Sequence, residues 1–221
     1  MIMTTTVERP VKRSGRVWRW ILAGLLLAFI AWRLPNYWAF DREQALSRND
    51  SIPWHYVTMS LHVILGSAVY LTGLLQLSPQ FRKRYPVMHR WVGRTYVCVA
   101  LSAGLLALAV GVVSEFGPAV RVGNVLFSLL WLHATAEGWL AARRRRFAEH
   151  RVWMLRSFGM ALGVPLARVI TIVCVFVLGP PVPGGNSVAI ISTWLSFTLA
   201  ILMTQAYLDR PVRRLPVRKL G

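Results

Sequence analysis

Six runs of about twenty apolar residues, each ended by charge or by helix-breaking residues, constrain this 221-residue chain more than any motif does. A bilayer core of about 30 Å is crossed by roughly 20 residues of helix, because only helices and closed barrels satisfy their own backbone where water is absent. The runs lie at about 17–34, 55–77, 91–113, 121–142, 152–178 and 188–208. Pro35, Ser78-Pro79, Gly117-Pro118, the run Arg143 to Arg146, Gly179-Pro180-Pro181 with Pro183-Gly184-Gly185, and Pro211 separate or end them. The chain therefore reads as all-α: a polytopic bundle of six transmembrane helices over 17–208, with a basic segment at 1–16 and a basic tail at 209–221. Trp32-Arg33-Leu34-Pro35 is too bulky for a signal-cleavage site, so the first run reads as a retained anchor.

Charge sets an expected orientation, since cytoplasmic loops keep Lys and Arg. With the N-terminus inside, the inward segments hold Arg9, Lys12, Arg13, Arg16 and Arg19; Arg82, Lys83, Arg84, Arg90 and Arg94; Arg143 to Arg146, Arg151 and Arg156; and Arg210, Arg213, Arg214, Arg218 and Lys219. The outward segments hold Arg33, Arg42, Arg48 and Arg121 beside the acids Asp41, Glu43, Asp50 and Glu115. Both termini are expected in the cytoplasm, and the chain in a bacterial inner membrane. A net charge of +18 would ordinarily suggest nucleic acid, but here the basic residues alternate with long apolar runs instead of forming one patch, so no nucleic-acid partner is expected. They suit anionic lipid headgroups at the cytoplasmic face. Cys98 and Cys174 sit inside apolar runs as small packing residues, and no CxxC, HExxH, GxGxxG or P-loop is present, so no metal set is expected.

Ionisable residues at membrane depth are costly and carry the functional argument. His55 lies at the outer end of the second span and reads as interfacial. His62, His89, His133 and His150 fall one per span on spans two to five. At 1.5 Å per residue His62 lies about 10 Å deep and His133 roughly 15–18 Å, while His89 and His150 share a level near the inner surface. Two histidines from facing helices can hold a b-type haem, and two levels would make an electron path. His62, Gly66, Val69, Gly73 and Gln76 form one stripe; His89, Gly93, Tyr96, Ala100, Ala103, Ala107 and Gly111 form another. Such stripes could flank a macrocycle, or simply let helices approach closely.

Arg168 lies well inside the fifth span, where it could meet a haem propionate, a quinone oxygen or another anion, or pair with Glu115. Glu137, one turn after His133, could orient that imidazole or pair with Arg143. The inner surface carries two similar signatures, His89-Arg90-Trp91-Val92-Gly93-Arg94 and His150-Arg151-Val152-Trp153-Met154-Leu155-Arg156.

His62, the Gly66 to Gln76 face, His89-Arg90-x-x-Gly93-Arg94-x-Tyr96, His150-Arg151-x-Trp153-Met154-x-Arg156 and Arg168 together resemble the bacterial predicted-membrane-protein family catalogued as domain of unknown function 2306, over roughly 55–208. The resemblance implies a multi-helix inner-membrane protein without an assigned activity. One histidine on each of four consecutive helices also resembles, in arrangement only, the ascorbate-reducible dihaem transmembrane cytochromes, with less even spacing. Three functions stay open: a haem b redox protein with a quinone or protein redox partner, using His62 with His133 and His89 with His150; a transporter of protons or a small anionic solute, lined by His133, Glu137 and Arg168; and a non-catalytic accessory subunit.

Overall fold

The computed structural model describes residues 14–38, 51–179 and 186–210. Arg9, Lys12 and Arg13, the first-connection residues Asp41, Arg42, Glu43, Arg48 and Asp50, the run Pro180 to Gly185, and the tail from Pro211 lie outside the described residues. The rest is helical: α1 (Ser14–Arg33), α2 (Pro35–Trp38), α3 (His55–Gln76), α4 (Pro79–Arg84), α5 (Pro86–Val112), α6 (Pro118–Arg143), α7 (Phe147–Ala161), α8 (Gly163–Leu178) and α9 (Ser187–Leu208).

Local chemistry sets the helix starts. Pro79, Pro86 and Pro118 occupy the first turn of α4, α5 and α6, where a missing N–H costs nothing and a fixed φ suits the helix. The Ser78 hydroxyl caps α4 by accepting from the Phe81 N–H at 3.2 Å. Gly117, at φ 86°, makes the turn before α6. The helices α5 and α7 thus begin at Pro86 and Phe147, about a turn earlier than hydropathy suggests, because their first turns carry the charged His-Arg signatures that an apolar window rejects. His89 and His150 are each the fourth residue of their helix.

Five stretches among the described residues are long and apolar enough to cross a membrane: α3, α5, α6, α7 continuing into α8, and α9. In none is more than 39% of the apolar window buried, and each carries exposed large apolar side chains, among them Leu61 and Leu71 on α3, Leu105 on α5, Leu129 on α6, Leu195 on α9 and Phe176 on α8, which is 92% exposed. That is the inverse of a water-soluble surface and fits a lipid surround. Inside, Val69, Tyr70, Tyr96, Ala100, Ala103, Phe127, Trp131 and Phe158 form the core. The closest neighbours are α3 with α5, α5 with α6, α6 with α7, and α8 with α9. On the outside of α3, the Phe29 ring of α1 meets Tyr70 edge-on at 6.0 Å.

Where one span was expected over 152–178, the structure has two helices joined at Leu162. Pro165 explains the break: it has no N–H to give the carbonyl four residues earlier, and its ring crowds that carbonyl. The carbonyl left over belongs to Ala161, and the Tyr70 hydroxyl of α3 donates to it at 2.9 Å. A neighbouring helix therefore completes the backbone where the proline interrupts it. On this account Tyr70→Phe lowers stability by about 1–2 kcal/mol. In a Pro165→Ala background, where residue 165 again has an N–H, the same change should cost much less. A double-mutant cycle on the unfolding midpoint in mixed micelles measures the difference, and equal costs in both backgrounds would contradict it.

Candidate functional site

The two stripes read from the sequence face one another. On α3 and α5 the polar residues at the stripe ends reach backbone carbonyls of the partner helix. His62 Nδ1 lies 2.9 Å from the Ala103 carbonyl, and Gln76 Nε2 donates to the His89 carbonyl at 2.8 Å. Fourteen residues separate the two ends on each helix, so one antiparallel register satisfies both bonds. Between them Val69, Ala100 and Ala103 are buried, and the open Gly93 surface lets the Gln76 amide lie against it. The stripes pack helices, and Gln76 is a fastening at the end of that seam.

A carbonyl can only accept, so the ring nitrogen of His62 that faces Ala103 carries the proton and its Nε2 keeps a free lone pair in the neutral ring. His150 repeats the device on the next pair of helices: its Nδ1–H donates to the Gly138 carbonyl of α6 at 2.8 Å. Locking one imidazole N–H on a carbonyl is how proteins commonly fix the ring for ligation through the other nitrogen.

Deeper in the core, a chain of hydroxyls joins α5, α7 and α6. Thr135 Oγ1 donates to the Trp131 carbonyl at 2.8 Å, which spends its only proton. Ser157 must then donate to Thr135 at 2.7 Å, and Tyr96 to Ser157 at 3.0 Å. All three side chains are buried. Tyr96 and Ser157 are 61 residues apart, the same offset as His89 and His150. Seven residues is close to two helical turns, so each histidine lies on its helix below the hydrogen-bonded residue and on nearly the same face. The offset thus places His89 and His150 opposite one another, within electrostatic range. His89 Nδ1 is buried without a hydrogen-bond partner. Around the pair, Arg94 stacks on Trp91 at 5.0 Å and Arg156 on Trp153 at 4.8 Å, which accounts for the Trp-x-x-Arg spacing shared by the two signatures. Arg156 also donates to Gln205 of α9 at 3.1 Å.

The remaining candidates have other surroundings. His133 is exposed on α6 and meets the Trp153 ring edge-on at 5.4 Å, while His62 is held on α5. Among the described residues no hydrogen bond or ring contact joins these two. Glu137 is half-buried with no ion-pair partner among them, and Arg143 lies over Trp139 instead. Glu115 acts on His55. Arg168 is exposed on α8 and lies within electrostatic range of Arg33, Tyr37 and Tyr70. No group of three His, Cys, Asp or Glu among the described residues could hold a metal ion. Tyr70, Thr135 and Ser157 carry no sequence signal of their own, while Tyr96 stands in the α5 stripe and the His-Arg motif, though its bond to Ser157 does not follow from either. Of the first three, only Tyr70 could have been found, by asking which side chain covers the carbonyl that Pro165 leaves free.

Outward apolar helices around a core of interhelical hydrogen bonds define a multi-pass α-helical membrane protein. The chain belongs to the family described as predicted membrane protein, domain of unknown function 2306, whose profile matches residues 59–205, from α3 into the last turn of α9. Neither the curated proteins nor the solved structures contain a match.

The juxtaposition of the inner histidines can be read directly. In a Cys98→Ala, Cys174→Ala background, His89→Cys with His150→Cys should cross-link within one chain through a short bismaleimide, and His89→Cys with His133→Cys should not. Equal cross-linking of both pairs, followed by gel mobility, would contradict the placement.

Proposed function

We propose that the protein is a six-span inner-membrane electron-transfer protein that holds one b-type haem between His89 and His150, with both termini in the cytoplasm. The observation that carries the reading is the shared level and face of those two imidazoles, set by the Tyr96–Ser157 bond two turns along the same helices. The residues fit the group in three ways. His150 has its Nδ1–H fixed on Gly138, so Nε2 is free to ligate. His89 has a buried ring nitrogen with no partner. Arg82, which acts on His89, and Arg90 and Arg151, each next in sequence to one of the histidines, supply cations that propionates could pair with. Bound there, haem would supply one-electron redox chemistry, with a membrane quinone or a protein as exchange partner.

The sixth crossing is α1, 20 residues long, whose apolar stretch from Trp20 to Ala31 complements the five longer crossings. Six crossings bring the Arg82–Arg84 and Arg143–Arg146 segments to the side of the termini, so that twenty-one of the 26 basic residues lie on one face.

Two measurements test these parts separately. Protein purified in mild detergent from haem-supplied cells should show a dithionite-reduced b-type spectrum at one haem per chain. His89→Ala and His150→Ala should each lose it, and His62→Ala should keep it. A colourless, folded protein overturns the haem reading. Single cysteines at Gln80 and Arg144 should react with an impermeant maleimide only in inverted vesicles, and one at Phe116 only in intact spheroplasts. The opposite pattern overturns the orientation.

A further inference from the structure

Two arginines from different helices share one level of the bundle, and no carboxylate among the described residues pairs with either. Hydrogen bonding fixes the level. Tyr70 of α3 donates to the Ala161 carbonyl, and three residues on, the Gly73 position lies against Phe158 of α7, so α3 and α7 run antiparallel in one register. Counted upward by helical rise past the break at Leu162, Arg168 lies at about the level of Val63, about 12 Å from the start of α3 at His55, although α8 itself packs on α9. Arg33 reaches the same region from α1. Phe29 packs on Tyr70, and Arg33 is one turn further along. Arg33 is only 9% exposed, its Nη2 donates to the Tyr37 hydroxyl at 3.4 Å, and its guanidinium lies over the Tyr37 ring at 5.5 Å. Tyr37 is itself fully buried. Arg168 is within electrostatic range of both.

Two guanidinium groups at this depth repel one another and are poorly solvated, a cost that an anion between them would relieve. The described acids are engaged or distant. Glu149 pairs with Arg146, Asp209 accepts from Gln205, Glu115 acts on His55, and Glu137 lies near the far end of α6. The surroundings favour an amphiphile. Arg168 sits at the margin of an exposed stripe of Val169, Ile172, Val173 and Phe176, because α8 turns its other face, through Thr171 and Ser192, to α9. A phospholipid would have to carry a bulky polar headgroup to mid-span, whereas a carboxylate needs only to present two oxygens, the geometry that guanidinium matches.

We propose that Arg33 and Arg168, with the Tyr37 hydroxyl beside them, bind the carboxylate of a membrane-borne fatty acid whose chain lies along the Val169 to Phe176 face. The site is separate from the inner histidine pair and does not depend on haem. The test is equilibrium binding of radiolabelled oleate to the full chain in phosphatidylcholine nanodiscs. One oleate per chain is expected. Oleyl alcohol, which has the same chain without the charge, should displace it at least tenfold less well. Arg168→Gln and Arg33→Gln should each weaken binding by about tenfold or more, as loss of one charged hydrogen-bonding partner implies, and Arg168→Lys should retain part of it. The unmodified protein is decisive even where a variant does not fold. No saturable oleate binding, or equal displacement by oleyl alcohol, overturns the proposal.

Discussion

Backbone carbonyls inside a bilayer have no water to turn to, and polar side chains there have little else to bond with. Among the described residues, five side chains meet both needs together by donating to a main-chain carbonyl of another helix: His62 to Ala103, Tyr70 to Ala161, Gln76 to His89, His150 to Gly138 and Trp194 to Ala119. Four of the five accepting residues lie inside helices, where the carbonyl already accepts from within and offers only its second lone pair. Ala161 differs because Pro165 has removed its usual donor, and Tyr70 replaces it. Apolar packing has no hydrophobic drive between helices in lipid, so such bonds, together with close contact of small residues, fix which faces meet and in what register.

Close approach is needed for this to work. A Cβ at residue 138 would lie 2.5 Å from Met154 Sδ, and the Gly73 and Gly159 positions lie hard against Phe158 and Thr204. Glycine at 138 therefore lets α7 come near enough for His150 to reach the carbonyl of that same residue. A methyl group there would push away the helix that carries the histidine, so the packing surface and the orientation of the imidazole are one feature.

Much of this architecture is legible in the sequence, since length, apolar content and punctuation depend on the chain alone. The facing stripes of α3 and α5 follow from helical periodicity, and the shared level of His89 and His150 from counting residues. What could not be read is which partner each polar residue takes. His62 and His133 were placed at comparable depths, yet depth says nothing of azimuth: one points at α5 and the other lies by Trp153. Arg33 looks like an ordinary loop cation at the end of the first run, and its burial arises only from how α1 and α2 settle on α3. Ser157 and Thr135 carry no pattern at all, because a buried hydroxyl chain needs three helices to be in place before its members are near each other.

The break at Leu162 explains how two sites with different chemistry can occupy one span. His150 and Arg168 are eighteen residues apart, close to five whole turns, so an unbroken helix would hold both on a single face. That face at His150 looks onto α6, where Gly138 receives the imidazole. Continued without interruption, it would drive the Arg168 guanidinium toward the interior seam, where no carboxylate among the described residues would meet it. Pro165 and the turn at Leu162 release the second half of the span. Below the break α7 packs on α6 and, through Phe158 and Ala161, on α3; above it α8 packs chiefly on α9. Arg168 is thereby turned to the edge of the bundle, on the side where Arg33 and Tyr37 lie. One proline thus separates an inward-facing histidine from an outward-facing arginine, and the Tyr70 hydroxyl makes that separation stable.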